Sequence, residues 1–160
     1  MKQQIKFLIR VDGSKEIGLG HVYNMLTFLN NLDDEKILIV MNKKRNLGSG
    51  KFKKYGYKIK FISNNNDLKK IIDSFNPDVI CNDLLNTTLN YMKILKKFGC
   101  SIVNFEDLGE GRKLADLVFN PIYYTKNKFK NEFYGEQFAC VREEFRIKKR
   151  NRKRKKVKKI

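Results

Sequence analysis

A chain of 160 residues, 41% of them apolar, is long enough for one domain with a packed core, and no apolar run approaches the roughly 20 residues of a bilayer span. The three cysteines, Cys81, Cys100 and Cys140, are scattered and lack C-x-x-C or Cys/His ligand spacing, which argues against a disulfide framework or a metal site and fits a reducing cytoplasm. The net charge of +18 is uneven: residues 146–160, RIKKRNRKRKKVKKI, hold 11 Lys/Arg and no acid, leaving 24 basic and 17 acidic residues, a net +7, before them. A nucleic-acid partner is therefore not expected of the body of the chain.

The opening MKQQIKFLIRVDGS lacks a small-residue cleavage site and reads as a buried strand, Ile5–Val11, not a signal peptide. Ser14–Gly20 is a glycine-rich loop leading to Val22, Met25, Leu26, Leu29 and Leu32, spaced as one face of a helix. Lys36–Met41 predicts a second strand, 47–55 a short or irregular helix, and Lys58–Ile62 a third strand. A helix N-capped by Asp67 runs through Phe75 and is stopped by Asn76-Pro77 before a strand at Asp78–Asn82. Leu89, Met92 and Leu95 mark a further helix closed by Gly99, and Ser101–Phe105 a fifth strand. Leu114–Asn120 supplies a sixth strand, and the polar and aromatic residues beyond Pro121 a loop or helix across the domain edge. Strands alternating with helix-length segments predict an α/β, Rossmann-like doubly wound parallel sheet, with strands one, four and five adjacent. The expected division is a domain over residues 1–145 and a basic linker over 146–160, too charged to order itself.

In such sheets ligands bind beyond the carboxyl ends of the strands. The residues there are Asp12 with Gly13, Met41 with Asn42, Asp83, and Glu106 with Asp107. Gly18 and Gly20 allow a ligand close to the backbone, and the free N–H groups of the following helix favour negative charge. G-L-G-H is nevertheless not a dinucleotide fingerprint, since Tyr23 stands where a third glycine is needed, and no G-K-[ST] follows. Neither NAD nor ATP is supported, and no cofactor is expected. His21, the one histidine, falls in the first turn of that helix. A helix N-terminus disfavours the imidazolium, so a neutral ring able to act as a general base is expected.

The block IRVDGSKEIGLGHVYNMLTF resembles the opening I-R-x-D-G…I-G-x-G-H-x-x-R of the UDP-sugar hydrolases of pseudaminic acid biosynthesis, relatives of the two-domain GT-B glycosyltransferases. PDVICND, IVNFEDLGEGRKLADLVFNP and YGEQFACVREEF match later blocks of that family in order. The resemblance implies cleavage of a UDP-activated diacetamido trideoxy sugar to UDP and free sugar. His21 would serve as general base, with Asp12, Gly13, Gly18, Gly20, Asp83 and Asp107 around the substrate and no obligatory metal. Two positions depart from the pattern: Asn24 stands where the family has arginine, and Glu106 where it has aspartate. The basic segment resembles the family's interdomain linker, and the second domain, expected to supply most nucleotide contacts, is not within these 160 residues: a split gene with a separately encoded C-terminal half, a truncated coding sequence and an incomplete sequence are the alternatives, and the isolated chain is expected to be inactive. Two other readings remain: a related sugar transferase, with an acceptor hydroxyl in place of water at His21, and a polyanion-binding module using the basic tail.

Overall fold

The apolar runs become strands and the 3.6-periodic segments become helices, with small shifts of boundary. The computed structural model describes residues 4–32, 35–125, 129–141 and 145. In chain order these form β1 (Lys6–Val11), α1 (Gly20–Leu29), β2 (Lys36–Asn42), α2 (Ser49–Lys54), β3 (Lys58–Ile62), α3 (Asn65–Phe75), β4 (Val79–Asp83), α4 (Leu89–Lys96), β5 (Ser101–Phe105), β6 (Leu117–Asn120) and β7 (Glu132–Tyr134). All seven strands pair in parallel, in the order β3-β2-β1-β4-β5-β6-β7. The expected α/β, Rossmann-like sheet is therefore present, with β1, β4 and β5 side by side and the order reversing beside β1.

Helices cover both faces, and the strand period of two sends alternate side chains to each. Leu8, Val40, Ile80 and Ile102 pack with Leu68 and Ile72 of α3 and Met92 and Leu95 of α4. Ile9, Val11, Ile39, Met41 and Cys81 pack with Val22, Met25, Leu26 and Leu29 of α1 and Phe52 of α2. Burying each large side chain contributes about 1.5–3 kcal/mol, so the two layers, not intrinsic propensity, hold these short helices.

Four expectations need correction. Asp67 does not cap α3: Asn64 does, its side chain accepting the N–H groups of Asn66 and Asp67, while Asp67 takes the Ser63 N–H at 2.8 Å. β4 runs one residue further than expected, so Asp83 belongs to the strand. β6 begins at Leu117, because Glu110–Leu114 winds into a 3-10 turn that docks on α4. Beyond Pro121 the chain adds β7 to the sheet edge, where Phe133 stacks on Phe119 with ring centroids 5.5 Å apart. The expected linker, residues 146–160, and Arg142, Glu143 and Glu144 of the last family block lie outside the described residues. Among the described residues, no helix is long and apolar enough to cross a membrane.

Candidate functional site

The ends of β1, β4 and β5 converge beneath the start of α1. Ile80 faces the α3/α4 layer and Cys81 the α1/α2 layer, so the alternation of β4 sends Asn82 to the first and Asp83 to the second. There the His21 Nδ1 lies 2.6 Å from Asp83 Oδ1, with Asp83 fully buried and His21 only 7% exposed. An ionised carboxylate can only accept, so Nδ1 carries the proton and donates it. None of the described residues hydrogen-bonds Nε2, and Asp83 Oδ2, also buried, accepts no hydrogen bond among them.

The pair corrects the expectation of an imidazole kept neutral by its helix. The hydrogen bond to Asp83 raises His21 above the ordinary histidine value; burial opposes this, and the charges of Asp83, Glu106 and Asp12 reinforce it. A helix terminus contributes about 0.3–1 kcal/mol, less than a hydrogen bond to a buried charge at about 1.5–3 kcal/mol. Burial in turn pushes the Asp83 carboxyl up to about 6, against the pull of His21 and of neighbouring Asn24. The shared hydrogen bond couples the protonation of the two groups, with the Nε2 lone pair available when the ring is neutral.

The glycines divide by role. A Cβ at Gly13 would sit 2.3 Å from the Leu47 carbonyl oxygen, so this glycine lets the β1 and β2 loops touch. Gly18 has φ +74°, and neither it nor Gly20 has an atom within 4 Å of an added Cβ, so both border open space. No side chain caps α1, whose first N–H groups therefore have no side-chain acceptor.

Asp12 and Asp107 sit on the same edge in other surroundings. Arg10 grips both oxygens of Asp12, at 2.5 and 2.9 Å, and the Asn42 N–H adds a bond of 2.8 Å. Asp107 accepts from the Thr87 N–H and hydroxyl, the Asn104 amide and the Gly109 N–H, which anchors the loop after β4 to that after β5. Sequence reasoning missed Thr87, Asn104 and Tyr91, whose hydroxyl donates to Asn82 at 2.7 Å; for Asn104 a polar residue at a core-facing strand position was the available signal, whereas Thr87 in a loop and Tyr91 in α4 offered none. Asn24 and Glu106, the two departures from the resembled hydrolase pattern, meet: the Asn24 amide donates to Glu106 Oε1 at 3.1 Å, and Glu106 adopts φ 51°. Among the described residues no group of three or more His, Cys, Asp and Glu could hold a metal.

The sheet and its flanking helices define a GT-B-like, Rossmann-like fold. The crystal structure of Acinetobacter baumannii MurG superposes with a TM-score of 0.56 at 8% identity, covering 81% of this chain and 44% of that one. An uncharacterized protein of Methanocaldococcus jannaschii, MJ1062, is 30% identical over 153 residues, covering 88% of this chain and 32% of its own length. The chain thus spans about a third of this curated relative. No protein-family model matches it.

Proposed function

We propose that this chain is the base-carrying half of an enzyme acting on a nucleotide-activated sugar. The observation that supports it is the His21–Asp83 pair at 2.6 Å, set beside an open glycine loop at the carboxyl edge of a GT-B-like sheet. Asp83 holds the ring in the tautomer whose Nε2 accepts a proton, the role a buried carboxylate plays in hydrolase triads. Nε2 takes a proton from water, the water oxygen bonds to the anomeric carbon, and the bond from that carbon to the diphosphate oxygen breaks, releasing the nucleoside diphosphate. With the resemblance of IRVDGSKEIGLGH added, the substrate is a UDP-activated diacetamido trideoxy sugar and the reaction its hydrolysis. Asp12, Gly18 and Gly20 border the substrate in this reading, with the nucleotide held largely by a further, nucleotide-binding domain.

The test uses the chain supplied in trans with such a nucleotide-binding half. His21→Asn should lower kcat by about 10²–10⁴-fold, the usual contribution of a positioned base, with KM nearly unchanged. Unchanged turnover in this variant refutes the assignment.

A further inference from the structure

At the carboxyl edge of the sheet, beyond the ends of β2, β3 and β4, three asparagines share one arrangement. Asn42 ends β2, Asn64 caps α3 and Asn86 follows β4. The side-chain oxygen of each is taken by backbone N–H groups: Asn42 by Lys44 at 2.8 Å, Asn64 by Asn66 at 2.8 Å and Asp67 at 3.1 Å, Asn86 by Leu108 at 3.2 Å. A backbone N–H can only donate, so these bonds fix which end of each amide is oxygen. The amino ends are left over, and none of the described residues accepts from them.

All three line one cavity of about 320 Å³, together with Arg10, Arg45 and Ser63. The cavity's acidic lining residue, Asp12, is already matched by Arg10 at two oxygens. Arg45 is exposed and its guanidinium makes no hydrogen bond to the described residues; its charge acts at longer range on Glu16, which is held by the Ser14 hydroxyl. The walls therefore present amide donors and a cation, with little left to accept a hydrogen bond. Small-molecule sites run from about 300 to 1,000 Å³, so this one suits a monosaccharide and is too small for a whole nucleotide sugar.

We propose that this cavity is a second ligand site, for a sugar-sized molecule bearing an oxyanion, carboxylate or phosphate, held by the amino groups of Asn42, Asn64 and Asn86 and by Arg45. The site shares Asp12 with the substrate border proposed above but does not use His21, so the variants below test it separately from the hydrolase reading.

The experiment titrates the ¹⁵N-labelled 160-residue chain with glucose 6-phosphate, with glucuronate and with uncharged glucose. At least one charged sugar should give saturable shifts at the Asn42, Asn64 and Asn86 amides, and glucose should not; the arm that saturates identifies phosphate or carboxylate as the preferred group. Asn42→Asp and Asn86→Asp each keep the oxygen that accepts the backbone N–H but exchange the donor for a negative charge. Each should weaken binding about tenfold or more, as expected for losing a charge-assisted hydrogen bond, while His21→Asn leaves it unchanged. If either aspartate variant fails to fold, exposed Arg45→Gln provides the same test, with the same expected loss. The absence of saturation with both charged sugars, equal affinity for glucose, or full affinity in the folded variants overturns the proposal.

Discussion

Asp83, the last residue of β4, and Asp107, in the loop after the adjacent β5, are buried carboxylates at 0% and 1% exposure, yet their surroundings differ. Asp107 receives bonds from Thr87, Asn104 and Gly109 that occupy both oxygens. Asp83 receives one bond, from His21, and its second oxygen is buried without any among the described residues. A buried polar atom left unsatisfied costs about 1–3 kcal/mol. Asp107 thus stabilises the fold through its bonds, whereas the unmatched oxygen of Asp83 costs it stability.

The contrast is sharpest in stability. Asp107→Ala strands four buried or half-buried donors and should destabilise the chain by at least about 3 kcal/mol, read by urea denaturation. Asp83→Asn removes a charge that burial opposes and should change stability by less than about 1 kcal/mol. Comparable losses in the two variants would erase the distinction.

A second expectation concerns protons. Because His21 is the sole histidine, its imidazole gives an isolated NMR titration. The midpoint should lie above 6.5 in the wild type, from the direction of its shift, and fall in Asp83→Asn, where burial is left without the carboxylate to oppose it. Catalysis, where it occurs, should fade as pH drops through that raised midpoint. Stability should run the other way. Asp83 is raised from 3.8 to about 6 and His21 is raised as well, so the folded chain binds more protons than the unfolded one between the ordinary aspartate value and the raised histidine value. The pair's contribution to stability is then full at the acid end of that window and is lost as pH rises through it. A wild-type midpoint below 6.5 would separate the two groups.

The smallest effect belongs to Glu106, whose charge reaches His21 through space. Glu106→Gln should lower the same NMR midpoint by less than Asp83→Asn does. A larger shift would mean that Glu106, not Asp83, governs the ring.

Much of the scaffold could be read from the chain because buried parallel strands are written locally: KFLIRV, KILIVMN and SIVNF are apolar runs bounded by polar turns. β7 could not, since EFY is three residues long and joins the sheet through pairing with β6 and the stacking of Phe133 on Phe119. The position of His21 was legible from its loop, but its protonation was not. The group that decides it lies 62 residues away, and a local rule about helix ends could not anticipate it. Likewise Asn24 and Glu106 look like two separate departures in sequence, 82 residues apart; only the fold places them in contact.

The Asn82–Asp83 step of β4 has a consequence for how this chain can change over time. One peptide bond separates a residue of the Tyr91 network from the partner of His21, so point substitutions can tune the two sides independently. A one-residue insertion or deletion within β4 would exchange them, placing the carboxylate on the α4 side and the amide beneath the imidazole. Evolution of this strand is therefore open to replacement and closed to changes of length.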